Sequence, residues 1–461
     1  MSSAFSFSPS QAIPLLRLAG PLCIAQIASI SILTADIWMM GRLSAFDLAS
    51  GSLAMRLYQP FYFFAVGVLS LVGPLTSQAL GSGEVRSARL IFRQGLLLAL
   101  GIGGLSFLPV IYGAEILIFL GQQPDVARHA ETFLFISAFG LTPSFLFLVL
   151  RFYTASYQRP LPQMVVAFVG LAVNIILNAA LAHGYWGLPE MGLSGIALAT
   201  AISHMVMVIC LGLVIQLRAP FNQVSPFHRL WAVDVSVMGR IFRLGWPNGL
   251  LVMSETGMFI VAGMLIGLFG TAPLAAAGIV NQIAAVAFMI PLSLSQATAI
   301  RIGHAAGRKT PSEVIETGRT AIQIGCVLIL PSMAVMLLLP EMLSQIFVKP
   351  DDSLYEATMA VFFPLLLITA LFQFGDGQQI ILAAILRGLN DTRIPAIFGM
   401  IGFWAAGIGS AVVMAFILDW GPVSIWAGVA IGLFVSASLM GLRWIQTTKR
   451  LRHGGPILLD D

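Results

Sequence analysis

Residues 245–270 read GWPNGLLVMSETGMFIVAGMLIGLFG. At about 1.5 Å of rise per residue, a helix of this length spans roughly 39 Å. That exceeds the ~30 Å hydrocarbon core of a bilayer. One charge, Glu255, stands inside an otherwise apolar run, with Arg240 and Gly267 each about 20 Å away along the helix. No soluble core helix needs so long an apolar stretch, so the segment reads as a membrane span.

The rest of the chain follows the same pattern. Of its 461 residues, 58% are hydrophobic and 10% are charged, against roughly a quarter charged in soluble domains. Long apolar runs place spans at about 14–40, 49–78, 91–120, 131–155, 162–183, 192–216, 240–266, 276–300, 317–344, 357–386, 395–418 and 421–446. The fold class is therefore an all-α membrane protein with twelve transmembrane helices. The polar stretch at 217–240 splits the spans six and six, giving an N-lobe at 1–216, a cytoplasmic linker at 217–240 and a C-lobe at 241–461. Cys23, Cys210 and Cys326 fall in different apolar segments, without a metal or redox motif, and read as small core residues. The first twenty residues, MSSAFSFSPSQAIPLLRLAG, lack the basic start and small-residue cleavage site of a signal peptide.

Charge sets the orientation. The net charge of +4 is no nucleic-acid signature, because the basic residues sort by side. Twenty of the 24 Lys and Arg residues fall on one set of alternate connections and at the two ends. Arg42, Arg56, Arg128 and Lys349 fall on the other. Basic loops stay in the cytoplasm, so both termini are expected there. The acidic outer connection KPDDSLYE is compatible with this.

The halves repeat. With a shift of 226 residues, RLAGP (Arg17 to Pro21) meets RLGWP (Arg243 to Pro247). Gly41 meets Gly267, Leu48 meets Leu274, and Gly81 meets Gly307 without a gap. Six spans return the chain to its starting side, so the repeats are parallel and related by an axis along the membrane normal. Paired repeats around a central cavity are a transporter architecture. The matched Pro21 and Pro247 each remove a helix hydrogen bond and are expected to bend their helices.

Three acids lie well inside spans: Asp36, Glu255 and Asp376. A charge at depth is expensive, and such residues commonly mark ion or proton paths. Asp36 is near the outer end of its span and has snorkelling as an alternative. Burial favours a protonated acid, whereas ionised acids can hold a hard cation such as Na⁺ with other oxygens. Asn174 and Asn178 lie one turn apart on one face of span five, either bonding neighbouring helices or lining a cavity with Asp36. Gln26, Gln282, Gln378 and Gln379 are further polar candidates, and Arg56 has no evident partner. No His pairs with a Cys or an acid on one helix face within an expected span, so an intramembrane enzyme is not expected.

Four stretches together carry a resemblance: LAGPLCIAQIASISILTADIWMMGRLSAFDLA from Leu18, LGWPNGLLVMSETGMF from Leu244, FMIPLSLSQATAIRIGHAAG from Phe288 and DGQQIILAAILRGLNDTRIP from Asp376. They resemble the multidrug and toxic compound extrusion (MATE) family, in its NorM-like branch. The resemblance implies two six-helix lobes in a V and Na⁺- or H⁺-driven antiport of amphipathic, mostly cationic drugs. It also implies a bacterial inner-membrane protein with no cofactor beyond the coupling ion, with lipid and small molecules rather than nucleic acid as partners, and with a monomer expected. Glu255 and Asp376 match that branch's C-lobe cation site. Asp36, Asn174 and Asn178 match its N-lobe polar cluster. Where some members carry Tyr one turn before the span-ten acid, this chain has Phe372, which removes an oxygen ligand and leaves the ion open. A related lipid-linked precursor flippase, or an exporter of another metabolite, is the alternative. A flippase favours a strongly basic cavity, and Arg56 is the one basic residue expected well inside a span.

Overall fold

The structure, a computed structural model, describes residues 8–347 and 355–458. Lys349 and most of the acidic outer connection lie outside the described residues, as do residues 1–7. The described chain is helical, with twelve helices long and apolar enough to cross a membrane. They are α1 (Pro9–Leu43), α2 (Ala45–Gly81), α3 (Val85–Leu105), α4 (Pro124–Ser156), α5 (Leu161–His183), α6 (Gly192–Leu217), α7 (Val235–Gly267), α8 (Thr271–Gly307), α9 (Pro311–Leu338), α10 (Tyr355–Arg387), α11 (Arg393–Ile417) and α12 (Val423–Arg452).

Two helices differ from the reading of the sequence. The third span ends at Leu105 rather than near residue 120. Ser106 donates to Ile102 O both from its amide, at 2.9 Å, and from its hydroxyl, at 2.8 Å, and Pro109 then has no amide hydrogen with which to bond Leu105 O. Two short helices follow, Phe107–Ile111 and Gly113–Phe119. In α11 the α-helical bonding gives way to π-helical turns at Ile401–Ile408 and Val413–Ile417, a geometry rare in proteins.

The chain forms two compact units, Gly20–Gly249 and a second made of Met1–Ala19 with Leu250–Asp461. In the first, one apolar core gathers Leu69, Val72, Phe92, Phe145 and Tyr153, and another gathers Met40, Val110, Leu134 and Ile196. The start of α7 packs on α2 in this unit, backbone against backbone. A Cβ on Gly67 would collide with Gly249 and with Asn248 O. Asn248 Nδ2 then donates to Gly67 O at 2.8 Å and to Ser70 Oγ at 3.0 Å. These contacts account for the small and polar residues around Pro247. α1 and α7 both run through their matched prolines as continuous helices.

In the second unit α11 lies close on α12 through glycines. A Cβ on Gly402 or Gly432 would strike the opposing backbone, and one on Gly428 would strike Ala411. Small residues allow this close approach, which favours helix packing where lipid supplies no hydrophobic drive. Gln11, at the start of α1, accepts from Arg301 Nη2 at 2.7 Å and from Thr317 Oγ1 at 3.2 Å. The three cysteines form no disulfide among the described residues.

Candidate functional site

Each unit holds a buried acid. On α1, Ile32, Asp36 and Met39 recur at helical spacing and all face inward, with Asp36 only 3% exposed. Its carboxylate thus occupies a place that an apolar side chain would fill. Neighbouring helices answer it. Asn174 and Asn178 of α5 donate from Nδ2 to Asp36 Oδ1 at 3.1 and 2.7 Å. Thr200 of α6 donates to Oδ2 at 2.7 Å. Asn178 Nδ2 also donates to Asn174 Oδ1 at 3.2 Å. Three neutral donors on one carboxylate are what a charge needs when water cannot reach it.

The sequence reading placed Asp36, Asn174 and Asn178 in one cluster, and the structure brings those three together. It adds Thr200, His204 and Tyr58. His204 lies one turn beyond Thr200 and its Nδ1 contacts Thr200 O at 2.9 Å. A carbonyl only accepts, so Nδ1 carries a proton in this contact. Tyr58 of α2 lies within reach of the Asp36 charge. Thr200 had no signal of its own, because hydroxyls are common in spans and usually bond their own helix.

In the second unit Asp376 of α10 is 4% exposed, and Glu255 of α7 is half-buried. The two lie close enough for their charges to repel. Asp376 Oδ1 is buried without a hydrogen-bond partner. One turn along α7 from Glu255 is Phe259, and one turn back along α10 from Asp376 is Phe372. Their rings pack at 6.0 Å between centroids, and Trp426 of α12 packs on both at 6.4 and 6.3 Å. The acids thus face each other across antiparallel helices with an aromatic triangle on one side. Trp426 is pinned by Nε1 donating to Thr369 Oγ1 at 2.8 Å. Phe372 was singled out only through the family resemblance, and Phe259 and Trp426 had no signal at all, since 31 phenylalanines and eight tryptophans give no way to choose.

The remaining candidates scatter. Gln26 accepts from Arg151 Nη2 at 2.6 Å, in the first unit. Gln378 donates to Cys326 Sγ and to Ile322 O, both at 3.4 Å, and Gln379 Oε1 is buried without a partner. Gln282 and Arg56 are exposed on α8 and α2. Among the described residues no group of three or more His, Cys, Asp or Glu side chains comes together. A metal ion between Glu255 and Asp376 would therefore need neutral oxygens as well.

The family model MatE matches the chain twice, over residues 21–180 and 247–420. The two matches begin at Pro21 and Pro247, with the 226-residue offset of the internal repeat. The chain belongs to the MATE family. Two bacterial proteins named "Probable multidrug resistance protein NorM" are similar along almost their whole length. The one from Bradyrhizobium diazoefficiens is 36% identical, over 95% of this chain and 93% of its own. The one from Agrobacterium fabrum is 35% identical, over 94% of each. Among solved structures, that of the eukaryotic MATE transporter AtDTX14 superposes with a TM-score of 0.85 at 22% identity, covering 96% of this chain and 98% of its own. A second, described as an outward-facing conformation of a multidrug resistance MATE family transporter, gives 0.86 at 17% identity, over 96% and 97%. The MATE fold thus carries two buried acid clusters here, one in each compact unit.

Proposed function

We propose that this MATE protein is a secondary-active efflux antiporter, not an enzyme, that exports amphipathic and mostly cationic small molecules against an inward flow of Na⁺ or H⁺. The observation that carries the reading is the Glu255/Asp376 pair: two like charges in reach of each other, one with a buried oxygen that has no hydrogen-bond partner among the described residues. Such a pair is incomplete without a cation. A proton neutralises one acid, or a Na⁺ bridges both with neutral oxygens. Either removes the repulsion and changes the packing around Phe259, Phe372 and Trp426. An ion that binds one conformation better than another shifts the balance between them, which is what coupling ion entry to drug exit requires. Asp36, with Asn174 and Asn178, forms a second polar site whose part in coupling is a separate proposal.

The NorM-named relatives support the drug class, and their bacterial sources support placement in an inner membrane. The excess of basic residues on one side supports cytoplasmic termini. We take the working unit to be a monomer with no cofactor beyond the coupling ion.

The test is dye or fluoroquinolone efflux in proteoliposomes, driven first by a Na⁺ gradient alone and then by a pH gradient alone. One gradient should drive efflux in the native protein, and Glu255→Gln and Asp376→Asn should each remove that driven component. Normal driven efflux in both variants would overturn the assignment.

A further inference from the structure

The basic end of the first unit holds a cluster that ion coupling and drug export leave unused. Arg89 and Arg93 lie one turn apart on α3 and share a face. Arg229, in the segment between α6 and α7, acts on Arg93 together with Arg89, and both are like charges. Arg93 is 6% exposed, yet its Nε has no hydrogen-bond partner among the described residues. Asp234, the acid of the same segment, turns its Oδ1 to the start of α7, accepting from Val237 N at 3.1 Å.

The segment is held in place beside these arginines. Phe227 meets the fully buried Phe92 edge-on at 5.7 Å. Gln94 Nε2 donates to Ala232 O at 2.9 Å, and Gln94 Oε1 accepts from Asp234 N at 3.1 Å. Phe227 also lines a cavity of about 620 Å³ between the segment and α6. Val208, Ile209, Leu213 and Phe227 give it apolar walls, and Gln216 and His228 are polar and exposed beside it. Ile209 and Leu213 belong to an outward-facing apolar stripe of a membrane span, being 53% and 52% exposed. The cavity is therefore continuous with a lipid-facing surface, and Phe227 links it to Phe92, the chain neighbour of Arg93.

We propose that this is a binding site for an anionic glycerophospholipid of the leaflet at the basic end, with its phosphate among Arg89, Arg93 and Arg229 and an acyl chain in the Phe227 cavity. Guanidinium groups suit phosphate oxygens, offering paired donors in a fixed plane. Basic pockets at the cytoplasmic side of spanning helices recognise such headgroups. No acid lines the cavity, so it does not suit a cationic drug. A soluble anion would leave the apolar half unfilled.

The experiment uses the full-length protein, purified in detergent and stripped of lipid. Binding is read by native mass spectrometry on titration with phosphatidylglycerol, phosphatidylcholine of the same chains and inorganic phosphate. Phosphatidylglycerol should bind well above the other two. Arg93→Gln and Arg229→Gln should each weaken it about fivefold, as expected for one arginine near a charged headgroup. Arg229 is exposed, so its replacement spares folding. Gly212→Leu tests the apolar half separately. Gly212 lines the cavity, and a Cβ there would meet only the Phe227 ring, at 4.0 Å. That variant should weaken phosphatidylglycerol while every arginine stays in place. The proposal falls if the Arg93→Gln/Arg229→Gln double variant or Gly212→Leu holds phosphatidylglycerol as the native protein does. It falls equally if phosphatidylcholine or inorganic phosphate binds as tightly.

Discussion

Asp36 and Asp376 are buried to nearly the same degree, 3% and 4% exposed, but their surroundings are opposite. Asp36 accepts three hydrogen bonds from neutral donors on two other helices. Asp376 has a carboxylate oxygen with no partner and a second acid, Glu255, within charge range. Burial alone therefore says little about what an intramembrane acid does. The first is built into the packing, where it ties α1 to α5 and α6. The second sets an unsatisfied oxygen beside another acid, which is the arrangement the proposed cation site rests on.

This contrast makes its strongest prediction for transport. Glu255→Gln and Asp376→Asn should each lower gradient-driven efflux to the undriven background, a loss of more than about tenfold, as intramembrane ionisable groups on an ion path would. Their thermal stability in detergent should hold or rise, because neutralising one member of an unpaired like-charged couple relieves repulsion. A clear fall in melting temperature for Asp376→Asn would mean that its environment resembles that of Asp36, and the comparison would break.

Asp36→Asn should do the reverse. Asparagine keeps one oxygen, so its amide nitrogen would face either Thr200 or the pair Asn174 and Asn178, and at least one buried donor would lose its acceptor. We expect a loss of about 1–3 kcal/mol in stability, read by thermal unfolding of the purified protein. Unchanged stability would show that the three bonds contribute nothing net. If driven efflux is also lost, stability-matched variants are needed to separate coupling from folding.

Much of this division could be read in the sequence, and the reason is physical. A charge inside an apolar run of twenty residues stands out because lipid makes it costly, so Asp36, Glu255 and Asp376 were all visible. Asn174 and Asn178 were visible by their one-turn spacing, and the repeat by residues such as Gly81 and Gly307 that recur 226 positions apart. Neutral and aromatic partners were not. Thr200 looks like any span hydroxyl, and Trp426 like any interfacial aromatic, until α6 and α12 are placed in space. The early end of α3 was less visible, because residues 107–119 are mostly apolar, although Pro109 has no amide hydrogen to bond Leu105 O and so opposes a continued helix.

Thr200→Val sharpens the first half of the comparison at smaller scale. It removes one donor from Asp36 while keeping volume, so the loss should be about 0.5–1.5 kcal/mol, the usual range for one hydrogen bond between membrane helices. Thr200→Ser should restore most of it. If Val and Ser behave alike, the methyl group and not the hydroxyl carries the contribution.

Phe372→Tyr probes the other half and should have the smallest effect on stability. Phe372 is fully buried between Phe259 and Trp426, where an added hydroxyl costs about 1–3 kcal/mol if nothing bonds it. Asp376 lies one turn away with an oxygen lacking a partner. If the phenol reaches that oxygen, the new hydrogen bond offsets the penalty and stability should change by less than about 1 kcal/mol. The same substitution made on Asp376→Asn should then be more harmful, because the acceptor charge is gone. A double-mutant cycle reads this coupling directly. No coupling would place the phenol away from the acid. A measurable coupling, together with greater stabilisation by added Na⁺ in Phe372→Tyr than in the native protein, would show that one ring oxygen is enough to tilt this pair from proton towards metal ion.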